Sequence, residues 1–175
     1  MKFQRKQLGQ GLALATLMAA AGTVSGADQG ELGATSKGSL DVSAVIADRV
    51  QISGLNDITL GSFDGTAELS SSDDFCIYRN GTGSYSVEIE SANAAENGAF
   101  RMSSEGLPEL LLYTVEFAGN PVSSGDEVEG TGDPSSPTCG GVPNTTLGVR
   151  VALTDLAAAT TGTYSDTITM VVKPL

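Results

Sequence analysis

Cys76 and Cys139 are the only thiols in the chain. An even count suits one internal disulfide, provided the compartment is oxidising. The other candidate chemistry is acidic. Asp73-Asp74 and the Asp126-Glu-Val-Glu129 cluster offer hard oxygen ligands of the kind that hold calcium. Their spacing fits neither an EF-hand loop nor a glycine-rich calcium repeat, so they read as solvated acidic loops. Histidine is absent from all 175 residues. That removes the Ser-His and Cys-His nucleophile pairs and the commonest zinc ligand. Neither a G-x-S-x-G elbow nor a phosphate-cradling G-x-x-x-x-G-K-[ST] loop occurs. There is no tryptophan, and aromatic residues make up 5%, which is poor material for a sugar-stacking platform. The chain is not expected to be an enzyme or to carry a cofactor or metal. Asn80-Gly-Thr82 and Asn144-Thr-Thr146 match the glycosylation sequon, but they read as turn chemistry.

The N-terminus supplies the compartment. Lys2, Arg5 and Lys6 precede an apolar run from Leu12 to Ala21, followed by the small residues Ser25-Gly-Ala27. This is the pattern of a secretory signal peptide over residues 1–27. The apolar run is too short for a membrane span. Export makes a Cys76–Cys139 disulfide the expectation. All 21 acidic residues follow the leader, against six of the nine basic ones. So acidic a protein does not suit nucleic acid or an anionic membrane surface as partner.

The elements that would position these groups are strands. Residues 28–37 are polar and glycine-bearing and read as a mobile N-terminal extension. From Gly38 to Ile52, Leu40, Val42, Ala44, Ile46, Val50 and Ile52 share one face, predicting a long strand or two collinear ones. Ile58-Thr-Leu60 and Phe75 to Arg79 predict short strands. Asn80-Gly81 is a strong hairpin signal, with Ser84 to Glu90 as the returning strand and Tyr85, Val87 and Ile89 facing inward. Leu110 to Phe117 is apolar and strand-like, although Leu110-Leu-Leu-Tyr113 alone also fits a helical turn. Thr146 to Thr154 alternates cleanly, and Leu156 to Ala159 reads as a connector of one helical turn. Asn120 to Asn144 has the composition of a long disordered loop, pinned by Cys139. The segment from Gly162 to Leu175 reads as one strand, with Tyr164, Asp166, Ile168, Met170 and Val172 on one face. Short strands between turn signals and no long amphipathic helix indicate an all-β, Greek-key sandwich over residues 38–175. A final strand with nothing to pair its free edge invites strand addition by another chain.

Three blocks carry a family likeness. They are Gly38-Ser-Leu-Asp-Val-Ser-Ala-Val-Ile46; Leu60-Gly-Ser-Phe63 with Phe75-Cys-Ile-Tyr78 and Tyr85-Ser-Val87; and Gly162-Thr-Tyr-Ser-Asp-Thr-Ile-Thr-Met-Val-Val172. Together they resemble the spore coat U-like secreted pilins, subunits of archaic chaperone–usher pili. The resemblance implies an incomplete immunoglobulin-like sandwich, completed by donor-strand complementation. It implies a periplasmic chaperone, an usher and neighbouring pilin subunits as partners, and passage through the periplasm to the cell surface or pilus, for adhesion or biofilm formation. Carried over, the donor strand is Leu40, Val42, Ala44 and Ile46, extended by Leu32, Ala34 and Gly38. The acceptor is lined by Ile168, Met170 and Val172. The same alternation also fits Gly38 to Ile46 being this domain's own first strand. The family's cysteine at the end of the opening strand is missing from Ala47-Asp-Arg-Val-Gln51, which leaves Cys139 as the partner of Cys76. The other reading of the chain is a self-complete secreted sandwich that binds calcium or a glycan through the acidic Asn120 to Asn144 loop.

Overall fold

The computed structural model describes residues 26–175. The leader expected over 1–27 lies outside the described residues, its last two positions excepted. The chain divides into two units, Met1–Val45 and Ile46–Leu175. In the first, the pairing among described residues is a single bridge. Asp28 and Ser39 exchange backbone hydrogen bonds of 2.8 and 3.0 Å, and Ser39 Oγ donates to Asp28 Oδ2 at 3.1 Å. No strand forms from Gly38 to Arg49. The long strand expected over Gly38 to Ile52 shrinks to its last residues, because alternation makes a strand only where a neighbour supplies hydrogen bonds.

The second unit holds ten strands and a short helix: β1 (Val50–Ser53), β2 (Leu69–Arg79), β3 (Ser84–Ser91), β4 (Phe100–Ser104), β5 (Leu110–Phe117), β6 (Asn120–Val122), β7 (Asp126–Thr131), β8 (Thr145–Val151), α1 (Leu153–Ala158), β9 (Tyr164–Ser165) and β10 (Ile168–Pro174). They form the expected antiparallel two-sheet sandwich. One sheet runs β1-β2-β8-β5-β4-β9, with β6 on β5; the other runs β10-β3-β7. β5 shows why: its residues alternate exposed and buried without a break, the period-two signature of one face on a core. Phe75, Ile77, Val87, Ile89, Val115, Phe117 and Val151 are fully enclosed between the sheets.

Four further expectations are corrected. Asn80-Gly81 does not close a hairpin: β2 pairs with β1 and β8, and β3 with β10 and β7, so the turn carries the chain from one sheet to the other. Ile58-Thr-Leu60 forms no strand. Ile58 and Leu60 pack on the core, but no neighbour pairs their backbone. The Asn120 to Asn144 region is largely ordered. Asp126–Thr131 pairs with β3 from Ile89↔Asp126 to Ser84↔Thr131, and a 3-10 turn occupies Cys139–Gly141. The terminal strand is two: β9 pairs with β4 in one sheet, and β10 pairs with β3 in the other. The chain changes sheets at Asp166-Thr167.

The Cys76–Cys139 disulfide forms, with sulfurs 2.03 Å apart. It anchors the loop that finishes β2. The Asn144 side chain acts as a strand partner there, accepting from Ile77 N–H at 2.9 Å and donating to Ile77 C=O at 2.9 Å. Asp133 then bonds Ile77 C=O and Arg79 N–H through its backbone. The approach needs glycine at 132, where a Cβ would stand 2.6 Å from the Ile77 carbonyl oxygen. Gly132→Ala is therefore expected to cost about 2 kcal/mol, seen as a melting temperature lower by roughly 4–8 °C. An unchanged melt would show that this junction yields without cost.

Candidate functional site: an open sheet edge and its groove

β10 has a partner on one side only. Which of its groups face outward follows from the ladder. Leu175 N–H donates to Ser84 C=O, and Thr167 C=O accepts from Ala92 N–H. In the antiparallel register Ile168↔Ser91 to Pro174↔Tyr85, hydrogen-bonded pairs recur at every second residue. The odd-numbered residues of β10 therefore bond β3. The N–H and C=O groups of Ile168, Met170 and Val172 point to the free edge, and among the described residues none has a partner.

The same three residues turn half-buried side chains towards the core. Beside them lies a groove of about 620 Å³, lined by Ile58, Leu60, Met102, Leu147, Ile168 and Met170 among others. Two of the three expected acceptor residues line it; Val172 packs on the core nearer the end of β10. One wall is the unpaired segment from Leu55 to Gly61. Asn56 holds that wall to β2: its N–H donates to Asp73 Oδ2 at 2.8 Å and its Nδ2 to Asp73 Oδ1 at 3.0 Å.

A carboxylate sets the other wall. Asp166, at the sheet change, accepts from Ser91 Oγ at 2.5 Å, Tyr113 OH at 2.5 Å and Asn93 Nδ2 at 2.8 Å. It ties the link between β9 and β10 to the core strand β5, to the end of β3 and to the loop after it. Burial, then the hydrogen bond and charge of Asp166, push the Tyr113 hydroxyl far above its ordinary value of 10.0. It stays a donor. Nothing local in the sequence marks this group, because its members lie 53 to 75 residues from Asp166.

The remaining sheet edges are protected. β1 has four residues and β9 two. β7 carries Asp126, Glu127 and Glu129. Short or charged edges resist strand addition, and the β10 edge, rich in Ile, Met and Val, has neither defence along the groove.

The expected donor residues differ in kind. Leu32, Ala34, Gly38, Leu40, Val42 and Ala44 belong to the first unit, and Ile46 opens the second. All are exposed, with Leu40 at 70%, Val42 at 88% and Ile46 at 88%. The acidic cluster is engaged as structure: Asp126 Oδ2 accepts from Ser123 N–H at 2.7 Å, and Glu127 Oε1 from Ser86 Oγ at 2.7 Å. Among the described residues no three His, Cys, Asp or Glu side chains converge as a metal site would require. None of the described helices is long and apolar enough to cross a membrane.

No protein-family model matches the chain, and neither does any curated protein. Solved structures do match. One is a chain from a study headed "Chaperone-tip adhesin complex is vital for synergistic activation of CFA/I fimbriae biogenesis". It superposes with a TM-score of 0.53 at 18% identity, over 73% of this chain and 41% of its own. A mutant of the CFA/I enterotoxigenic E. coli adhesin CfaE gives 0.46 at 14% identity, over 73% of this chain and 43% of its own. This chain thus spans less than half the length of either. At such identities the first match shows a shared β-sandwich fold.

Proposed function

We propose that this protein is an exported structural subunit of a bacterial surface fibre, assembled by donor-strand exchange. The observation that carries the reading is the unpaired inner edge of β10, contiguous with an apolar groove. An added strand would satisfy Ile168, Met170 and Val172 and cover the groove in one step, the β-augmentation mode of binding. The donor we propose is the segment with Leu40, Val42, Ala44 and Ile46, extended by Leu32, Ala34 and Gly38. Exposed alternating apolar residues of this kind are kept where a partner covers them. Burying each larger one contributes about 2 kcal/mol, ample for a stable joint. Head-to-tail joints of this type do not close and give fibres. The shared fold with a chain from a chaperone–tip adhesin complex agrees with this role. On this reading a periplasmic chaperone covers the edge before assembly, an usher hands the subunit on, and the family is that of the spore coat U-like pilins.

The test uses the full chain. Light scattering across a concentration series is expected to show linear oligomers, and Val42→Asp and Met170→Asp are each expected to weaken association at least about a hundredfold, since a buried unpaired charge is costly. A folded monomer at every concentration that also ignores an added peptide copying residues 32–46 would overturn the proposal.

A further inference from the structure

The residues just before β1 are held in an unusual way. The β1–β2 register, Val50↔Arg79, continues one step further to Arg49 and Asn80. Asn80 N–H donates to Arg49 C=O at 3.2 Å, and Arg49 N–H donates to Asn80 Oδ1 at 2.8 Å. Asn80 Nδ2 then donates to Ala47 C=O at 2.8 Å. The residue between, Asp48, receives Arg79 Nη2 at 3.0 Å. Two adjacent residues thus grip three successive ones. Arg79 is the buried member, 6% exposed in so acidic a chain, and it also donates to Leu175 C=O at 2.8 Å. Gly81 leaves room for its guanidinium: a Cβ there would lie 2.8 Å from Arg79 Nη1.

We infer that Arg79 and Asn80 are an exit clamp that fixes the direction in which the N-terminal segment leaves the sandwich, and so keeps it out of its own groove. The inference rests on the donor-strand reading above. Length does not prevent self-filling. Residues 38–46 extended reach about 30 Å, against roughly 23 Å for the seven residues of β10. Nor does concentration. A tethered strand acts at an effective concentration of about millimolar, so at micromolar protein a free segment would favour its own groove by roughly a hundredfold or more. Direction is what remains. Self-filling requires the chain to reverse between Ile46 and Val50, because β1 starts opposite Arg79, which bonds Leu175 just past β10, and proceeds towards Cys76 and then the groove wall at Leu55 to Gly61. The clamp holds residues 47–49 in line with β1, as one more rung of its ladder. Reversal there would break the bonds from Asn80 and the ion pair with Asp48.

The experiment compares the full chain with Asn80→Ala and Asp48→Asn, following oligomers by light scattering and groove access by uptake of a fluorescent peptide copying residues 32–46. Both variants are expected to shift towards monomer by at least about tenfold in the midpoint concentration, and that monomer is expected to refuse the peptide. Adding Val42→Asp to either variant should restore uptake. The inference is overturned if the variants associate and take up peptide as the unaltered chain does, or if the monomers they yield keep an open groove. Should Asn80→Ala fail to fold, Asp48→Asn decides, since it alters one exposed side chain. An unaltered chain that neither associates nor binds peptide defeats the donor-strand reading itself, and the clamp with it.

Discussion

Replacing both cysteines with alanine is expected to lower the unfolding free energy by about 4 kcal/mol. The bridge closes a loop of 63 residues in sequence separation, and the chain-entropy account gives roughly that figure for a loop of this length. The native contacts the bridge supports point the same way. Cys139 starts the 3-10 turn that leads to Asn144, and Asn144 with Asp133 supplies the hydrogen bonds that finish β2 at Ile77 and Arg79. A loop freed at Cys139 would leave buried backbone groups of Ile77 without steady partners, at about 1–3 kcal/mol for each group lost. Against a total stability of about 5–15 kcal/mol for a domain, the double variant should be marginal. Urea titration of the two proteins measures the difference directly, and a change below 1 kcal/mol would refute the account. The two sites should also differ from each other. Cys139 has φ of +50°, a left-handed conformation that glycine adopts freely and other residues do not. In a Cys76→Ala background, Cys139→Gly should therefore be less destabilising than Cys139→Ala.

The strands that could be read from sequence are those whose signal is local. In β5 and β8 every second residue is buried, so the alternation of Leu111, Tyr113, Val115 and Phe117, and of Leu147, Val149 and Val151, was sufficient. Partner choice was not legible. Gly162 to Leu175 keeps one parity throughout, and the parity is real: Tyr164, Asp166, Ile168, Met170 and Val172 are all half-buried. Yet parity records which face a residue takes, not which sheet its backbone joins, and the chain changes sheets inside the pattern. Asn80-Gly81 fails for a related reason. Gly81 has the positive φ the dipeptide promises, at +72°, but a turn signal does not say whether its flanking strands pair with one another. In Asp126–Thr131 a glycine-rich acidic composition looks disordered, and pairing with β3 across some forty residues overrides it.

The candidate site divides along the same line. Ile168 and Met170 were legible as one apolar face of a strand from their parity, and both line the groove. The unpaired wall from Leu55 to Gly61 was hidden, since its alternation at Ile58 and Leu60 imitates a strand. Arg79 and Asn80 carried a signal that sequence reasoning passed over. An arginine that closes the buried run Phe75 to Arg79 at the end of β2, in a chain with so few basic residues, is worth explaining. The Asp166 group had no such signal, and its importance is purely one of tertiary placement.

Asp166→Ala is the second large effect expected. The carboxylate receives three side-chain donors, from Ser91, Asn93 and Tyr113. Hydrogen bonds to a charged group contribute about 1.5–3 kcal/mol each, and do not add fully when they share an acceptor. A loss of roughly 3 kcal/mol is the expectation. Part of it comes from stranding the Tyr113 hydroxyl, on a residue that is 6% exposed, so Tyr113→Phe should make the second change cheaper. A double-mutant cycle is expected to give about 1–2 kcal/mol of coupling between positions 113 and 166. Alkaline pH offers an independent reading. In the unfolded chain a tyrosine ionises near 10, whereas burial and Asp166 hold Tyr113 protonated well beyond that in the folded protein. Above pH 10 the folded state therefore binds more protons than the unfolded one, and stability falls as pH rises, by about 1.4 kcal/mol per pH unit for each such group. Tyr85, raised by its burial, contributes in the same direction. Tyr113→Phe should thus flatten the alkaline slope by one proton while leaving the slope at neutral pH unchanged. Because Asp166 lines the groove and anchors the link that leads into β10, Asp166→Ala should weaken uptake of the peptide copying residues 32–46 more than Tyr113→Phe does. Equal uptake by both variants would mean that the groove wall stands without its carboxylate, and would confine Asp166 to stability alone.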